Sequence, residues 1–122
     1  MKSEEFIVKG YANGREDTCG DVDVMLNNEE LPFHFDLCNH SPTGFNWGYS
    51  GSGPSQLAFC IIYEYLTKVD GYSVVKAKPL TEYCYHDFKN EFIAPLPQTM
   101  DWEITGSGIN AFMLQWSVRN LR

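Results

Sequence analysis

Basic residues are scarce in this chain. Lysine and arginine number nine in 122 residues against sixteen aspartates and glutamates, giving a formal charge of −7. Phosphate contacts dominate nucleic-acid affinity, so a chain that cannot build a basic groove is not expected to bind DNA or RNA directly. Long apolar runs are missing as well. Nothing approaches the roughly 20 residues needed to cross a bilayer, and Met1-Lys2-Ser3-Glu4-Glu5 does not read as a secretory leader, so a soluble protein of the cytoplasm is expected. The four cysteines, Cys19, Cys38, Cys60 and Cys84, include no Cys-x-x-Cys pair. Zinc ribbons and thioredoxin-like sites need two thiolates converging on one centre, so separate reduced thiols are expected, with Cys60 in the core.

Catalytic fingerprints are absent too. There is no Gly-x-x-x-x-Gly-Lys-Ser/Thr, no Gly-x-Gly-x-x-Gly after a strand, and no Gly-x-Ser-x-Gly elbow, since Gly48-Tyr49-Ser50-Gly51-Ser52 fails at its last position. No catalytic residue, cofactor or metal is therefore assigned.

What is present suits one folded domain spanning residues 1–122. A hydrophobic content of 43%, with 15% aromatic residues, can bury a core despite the acidity. That acidity is concentrated: up to Asp36 there are nine acids and three bases. The same third reads as strands. Phe6–Tyr11 mixes β-branched and aromatic residues, and Asp21-Val22-Asp23-Val24-Met25-Leu26 alternates, turning Val22, Val24 and Leu26 inward and Asp21 and Asp23 outward. After a turn at Asn27–Glu30, a third strand over Leu31–Leu37 is expected to point Leu31, Phe33, Phe35 and Leu37 inward and His34 and Asp36 outward. Pro32, which has no N–H to donate, belongs at its start or at an edge.

Three helices are expected beyond. The first runs from Pro54 to about Leu66 or Val69, before Asp70-Gly71, with Ser52 or Ser55 as its cap. The second starts after Pro79 with Thr81 as N-cap and carries Cys84, Phe88 and Phe92 up to Pro95. Trp102-Glu103-Ile104 is a short strand, and the third helix follows with Ile109, Phe112, Met113 and Trp116 at i, i+3, i+4 and i+7, a buried stripe. The class is α+β: an N-terminal antiparallel sheet of about three strands packed against about three helices.

Between sheet and helices lies the most distinctive stretch, Ser41-Pro42-Thr43-Gly44-Phe45-Asn46-Trp47-Gly48-Tyr49-Ser50-Gly51-Ser52-Gly53-Pro54-Ser55-Gln56-Leu57-Ala58. The pattern Ser-Pro-x-Gly-Phe-x-Trp-Gly-Tyr-x-Gly-Ser-Gly-Pro-x-Gln-Leu-Ala resembles the signature of a small uncharacterised family found in bacteriophages and prokaryotic genomes. A weaker pattern at Phe88, Lys89, Trp102, Ile104 and Ile109 extends the resemblance over roughly residues 31–121. It implies a fold unit and a mobile-element setting, and it carries over no site residue.

Several constellations within these segments could carry chemistry. Gly51, Ser52, Gly53 and Ser55 surround a helix N-terminus, whose free N–H groups suit an anion. His34, Asp36, Cys38 and His40 recur at every second residue and would share a face if the strand ran that far, although same-face neighbours on one strand stand about 6.5–7 Å apart, too far for a tetrahedral cluster. Ser50 or Ser52, His40 and Asp36 lie close in sequence, which is not triad geometry. Phe45, Trp47 and Tyr49 alternate with small residues and serve either as packing across the first helix or as anchors of a protein interface.

The leading expectation is a non-enzymatic acidic binding protein. Asp21, Asp23 and Asp36 with Phe45, Trp47 and Tyr49 would meet the basic surface of a host protein, for instance one in a nucleic-acid-handling or defence complex. The alternative is a small-molecule binder or enzyme that holds an anionic ligand at Gly51–Ser55, with His40 as acid or base.

Overall fold

The structure, a computed structural model, describes residues 1–121. After a 3-10 turn at Ser3–Glu5 come strands β1 (Ile7–Tyr11), β2 (Asp23–Leu26) and β3 (Glu29–Glu30), then helices α1 (Ser52–Lys68) and α2 (Val74–Phe88). A π-helical turn at Lys89–Ile93, strand β4 (Trp102–Thr105) and helix α3 (Gly106–Asn120) complete the chain. The class is α+β as expected, with four antiparallel strands rather than three, in the order β3-β2-β1-β4.

The inner face of the sheet follows the alternation. Val8, Val24, Leu26, Trp102 and Ile104 are buried in one cluster with α1, while Lys9, Asp23 and Glu103 point outward. β4 arrives beside β1 because the register pairs Val8 with Ile104 and Gly10 with Trp102. At Gly10 the Trp102 indole lies flat across the strand, where a Cβ would collide with the ring. Gly10→Ala is therefore expected to cost about 1–3 kcal/mol in urea unfolding, the usual range for an overpacked core; an unchanged midpoint would show that the ring moves freely.

α1 is buried along its whole middle. Residues 56 to 66 are all buried, which suits a helix that shares one core cluster with the sheet and packs along α2. Its start differs in detail from expectation: Gly51 occupies the cap position with no side-chain cap, and Ser55 Oγ donates back to the Gly51 carbonyl at 2.9 Å. Neither Ser52 nor Ser55 caps the helix. Glycine is required here for another reason, since a Cβ on Gly53 would come within 2.6 Å of Asn46 Cβ and one on Gly51 within 2.6 Å of the Tyr49 ring.

α2 begins a turn and a half earlier than its proline suggests. Pro79 lies inside the helix, and the carbonyl deprived of its N–H belongs to Val75, which is 85% exposed, so the lost bond falls on the solvent side of the helix. Thr81 is consequently no cap; it is buried, and its hydroxyl donates to the Ala77 carbonyl at 2.7 Å. The face formed by Ala77, Thr81, Cys84 and Phe88 packs inward, with Phe88 against Phe112 of α3 at 5.3 Å. On α3 the expected stripe of Ile109, Phe112, Met113 and Trp116 is buried, and the Trp116 indole donates to Asp87 at 3.0 Å.

The larger departure is at 31–37, where no strand forms. Leu31 N–H makes the last rung, to the Val24 carbonyl at 2.9 Å, and Pro32 then has no N–H to continue the ladder. The Phe33 carbonyl is taken instead by α1, accepting from Gln56 Nε2 at 2.7 Å and the Cys60 thiol at 3.0 Å. His34 adopts a left-handed φ of 53°, and its carbonyl closes a turn with the amides of Leu37 and Cys38. Leu31 is buried, but Phe33 and Phe35 are 46% and 39% exposed.

Candidate functional site

Because β3 is so short, a cleft of about 380 Å³ opens between β2 and the aromatic loop. One wall is the segment Gly20–Val24 and the other is Phe33, Thr43 and Phe45. The aromatic wall is a stack, with Phe45 4.6 Å and Phe35 5.2 Å from the Phe33 ring. Gly44 permits it: at φ 102° it passes so close to Phe33 that a Cβ would sit 3.0 Å from the ring. Asp21, Asp23 and Glu30 line the rim, all three exposed, and among the described residues no lysine, arginine or histidine lines the cleft. Asn13, left-handed at φ 55°, steadies the acidic wall by donating to Asp23 Oδ2 at 2.8 Å and to the Asp21 carbonyl at 3.4 Å.

The two walls are fastened by two buried polar side chains. Gln56, fully inaccessible, donates to the Phe33 and Cys38 carbonyls and accepts from His40 N–H at 2.7 Å, so one amide holds the whole turn against α1. Arg15 holds the other side: Nε donates to the Gln98 carbonyl at 2.7 Å and Nη1 to Asn46 Oδ1 at 2.6 Å, and the guanidinium lies 4.5 Å from the Trp47 ring. Asn46 Nδ2 in turn donates to the Thr18 carbonyl at 2.8 Å, just before the acidic wall begins.

The structure therefore brings Asp21, Asp23 and Phe45 together and adds Glu30 and Phe33. It does not add the rest. Asp36 is exposed and lies outside the cleft, near Tyr63, whose phenol is raised by burial first and then by the Glu64 and Asp36 carboxylates. Trp47 is 0% exposed: its indole donates to the Pro97 carbonyl at 3.0 Å and meets Trp102 edge to face at 5.3 Å. Of the two roles open to it, packing is the one it fills. Tyr49 stays at the surface, its ring folded over Gly51. Phe33 escaped the sequence reading because alternation assigned it inward; Pro32, which must end a ladder, was the available signal.

The other constellations come apart. The turn after His34 scatters His34, Asp36, Cys38 and His40, and among the described residues no three His, Cys, Asp or Glu side chains are grouped to hold a metal. His40 stacks on Tyr85 at 5.1 Å, and no hydrogen bond joins it to Asp36, Ser50 or Ser52. His34 instead approaches Glu64 at 3.4 Å, and among the described residues neither side chain bonds a hydroxyl or a thiol. Burial raises the Cys38 and Cys60 thiols and pushes Cys84 up to about 12, leaving all three as thiols rather than nucleophiles at neutral pH. The anion reading at Gly51, Ser52, Gly53 and Ser55 meets a second, polar cleft lined by Ser52, Gly53, Tyr49 and Asn46, but Asp21 also lines it and, among the described residues, no cationic side chain does. An anion there would face a carboxylate.

The fold and cleft define a small α+β domain with an acidic, aromatic-walled groove. The chain belongs to a family of unknown function, DUF6166, whose model matches residues 11–115 and so takes in β2 and the cleft as well as the loop and helices. No curated protein and no solved structure matches it. Among the described residues no helix is long and apolar enough to cross a membrane.

Proposed function

We propose that this domain is a non-enzymatic binding module that takes a basic segment of another protein into the cleft between β2 and the Phe33–Phe45 stack. What supports the reading is one observation: three carboxylates rim an aromatic-walled groove in which no cationic side chain of the described residues lies to neutralise them. Free carboxylates at a rim steer basic partners and set orientation, while aromatic faces attract lysine and arginine side chains directly. Nucleic-acid-handling proteins present such basic surfaces. The resemblance of the Ser41–Ala58 signature to phage and mobile-element proteins makes a host defence complex in the cytoplasm the first partner to try, with inhibition as the consequence of occupying its basic surface.

The test is co-purification from host lysate followed by binding between the two purified proteins. Asp21→Lys/Asp23→Lys is expected to weaken that binding on the order of tenfold or more at low salt, and added salt to weaken the wild type, because exposed charges act within a Debye length of about 10 Å at 0.1 M. Asp36→Lys, outside the cleft, is expected to change it by less than about threefold. Equal effects at all three positions would mean that overall acidity, not the cleft, governs association.

A further inference from the structure

The extended chain leading into β2 carries a free edge inside that cleft. Backbone groups of an extended strand alternate between its two sides. Asp23 is paired with Tyr11 on the β1 side, and the Asp21 carbonyl faces the same side, where it accepts from Asn13. Val24 faces the opposite side, its carbonyl accepting from Leu31 N–H. Val22 therefore points its N–H and C=O the way Val24 does, beyond the last rung of β3, where they bond to nothing among the described residues. Pro32 and the capture of the Phe33 carbonyl by Gln56 and Cys60 are what prevent the protein's own chain from covering this edge.

We infer, resting on the cleft reading above, that the partner segment binds as an added β-strand on the free edge that leads into β2, at Val22, and that it alternates basic and apolar residues. Unpaired sheet edges template extended peptides through main-chain hydrogen bonds, with alternate side chains supplying specificity. Here the outward residues of the added strand meet Asp21, Asp23 and Glu30, and the inward ones meet Phe33 and Phe45. The charges also select the occupant. A second copy of the same edge would bring a further three carboxylates against these, which disfavours self-pairing, whereas lysine or arginine complements them. The open stretch Asp21–Asp23, before the rung that Leu31 N–H makes to Val24, spans about 10 Å at roughly 3.3 Å per residue, enough for about three residues of added strand.

A fluorescein-labelled heptapeptide of alternating lysine and valine, titrated by anisotropy, tests this. Binding is expected, together with slowed hydrogen exchange at Val22. N-methylating the peptide amides of one alternate set should weaken binding about tenfold or more and the other set by little, since only one set faces β2. Val22→Pro, which removes the free donor without breaking a hydrogen bond of the unliganded domain, should act like the sensitive set. Equal tolerance of both N-methyl sets, with binding still lost in Asp21→Lys/Asp23→Lys, would overturn strand addition and leave the cleft reading standing. No binding of the heptapeptide would overturn both. A concentration-dependent dimer that protects Val22 without peptide would assign the edge to self-association and overturn the inference.

Discussion

Gln56→Leu is expected to cost about 3–5 kcal/mol of stability although it keeps nearly the same side-chain volume in a fully buried position. The amide serves four backbone groups of one turn: it donates to the Phe33 and Cys38 carbonyls and accepts from the amides of His40 at 2.7 Å and Ser41 at 3.4 Å. With leucine there, the Phe33 carbonyl still has the Cys60 thiol, but the Cys38 carbonyl and the His40 and Ser41 amides have no replacement. Each buried polar group left without a partner costs roughly 1–3 kcal/mol, and few domains hold more than about 15 in all. The loss should be local first. Amides from 33 to 41 should exchange with solvent before the core opens, and peptide binding to the cleft should fall further than global stability, because Phe33 is a wall of the cleft and this turn places it. Urea unfolding and hydrogen exchange measure the two effects. A loss under about 1 kcal/mol would show that the turn is held by its own hydrogen bonds instead.

What the sequence made legible, and what it hid, divides along the range of the interactions. α1, the α3 stripe and the inward Val24 and Leu26 follow from periodicity and local punctuation, so they could be read directly. The segment 31–37 has strand alternation and no strand, because its fate is set by residues about twenty-five positions away: Gln56 and Cys60 capture the Phe33 carbonyl more firmly than a two-residue β3 could. Pro79 misled for a related reason. A proline inside a helix forfeits one hydrogen bond and crowds one carbonyl, and here both costs fall at the exposed Val75 rather than on the buried face. For the site, the acids on β2 and the aromatic loop were visible as separate features. Their meeting was not, because the cleft exists only through the early end of β3, and Glu30 and Phe33 join it by that accident of register. Arg15 gave no signal at all, since a single arginine among acids reads as surface until its guanidinium is found under a tryptophan.

Trp47→Ala is expected to be the most damaging single truncation, costing about 5 kcal/mol. Large aromatic truncations in a core cost roughly 3–5 kcal/mol through lost burial and the cavity left behind, and this one adds two further losses. The Pro97 carbonyl loses its indole donor, and the buried Arg15 guanidinium loses the ring face 4.5 Å away that replaces part of its hydration. Trp47→Phe separates the contributions. It keeps a ring under Arg15 but gives up the indole N–H and volume, so about half the loss is expected. Tyr49→Ala, two residues further along the loop and partly exposed, should cost under about 1 kcal/mol. That ordering distinguishes the two roles an aromatic loop can have: if Trp47→Ala and Tyr49→Ala were equally mild, the loop would be a surface element and its tryptophan an available anchor. The consequence reaches the cleft as well. Arg15, Asn46 and Thr18 form a chain of hydrogen bonds leading from Trp47 to the residues before Asp21, so emptying the Trp47 position should loosen the acidic wall. Peptide affinity is then expected to fall in Trp47→Ala even under conditions where the variant is fully folded, while Trp116→Ala, equally buried but packed against Tyr83 and Asp87 on the helical side, should leave affinity unchanged once the folded fraction is matched.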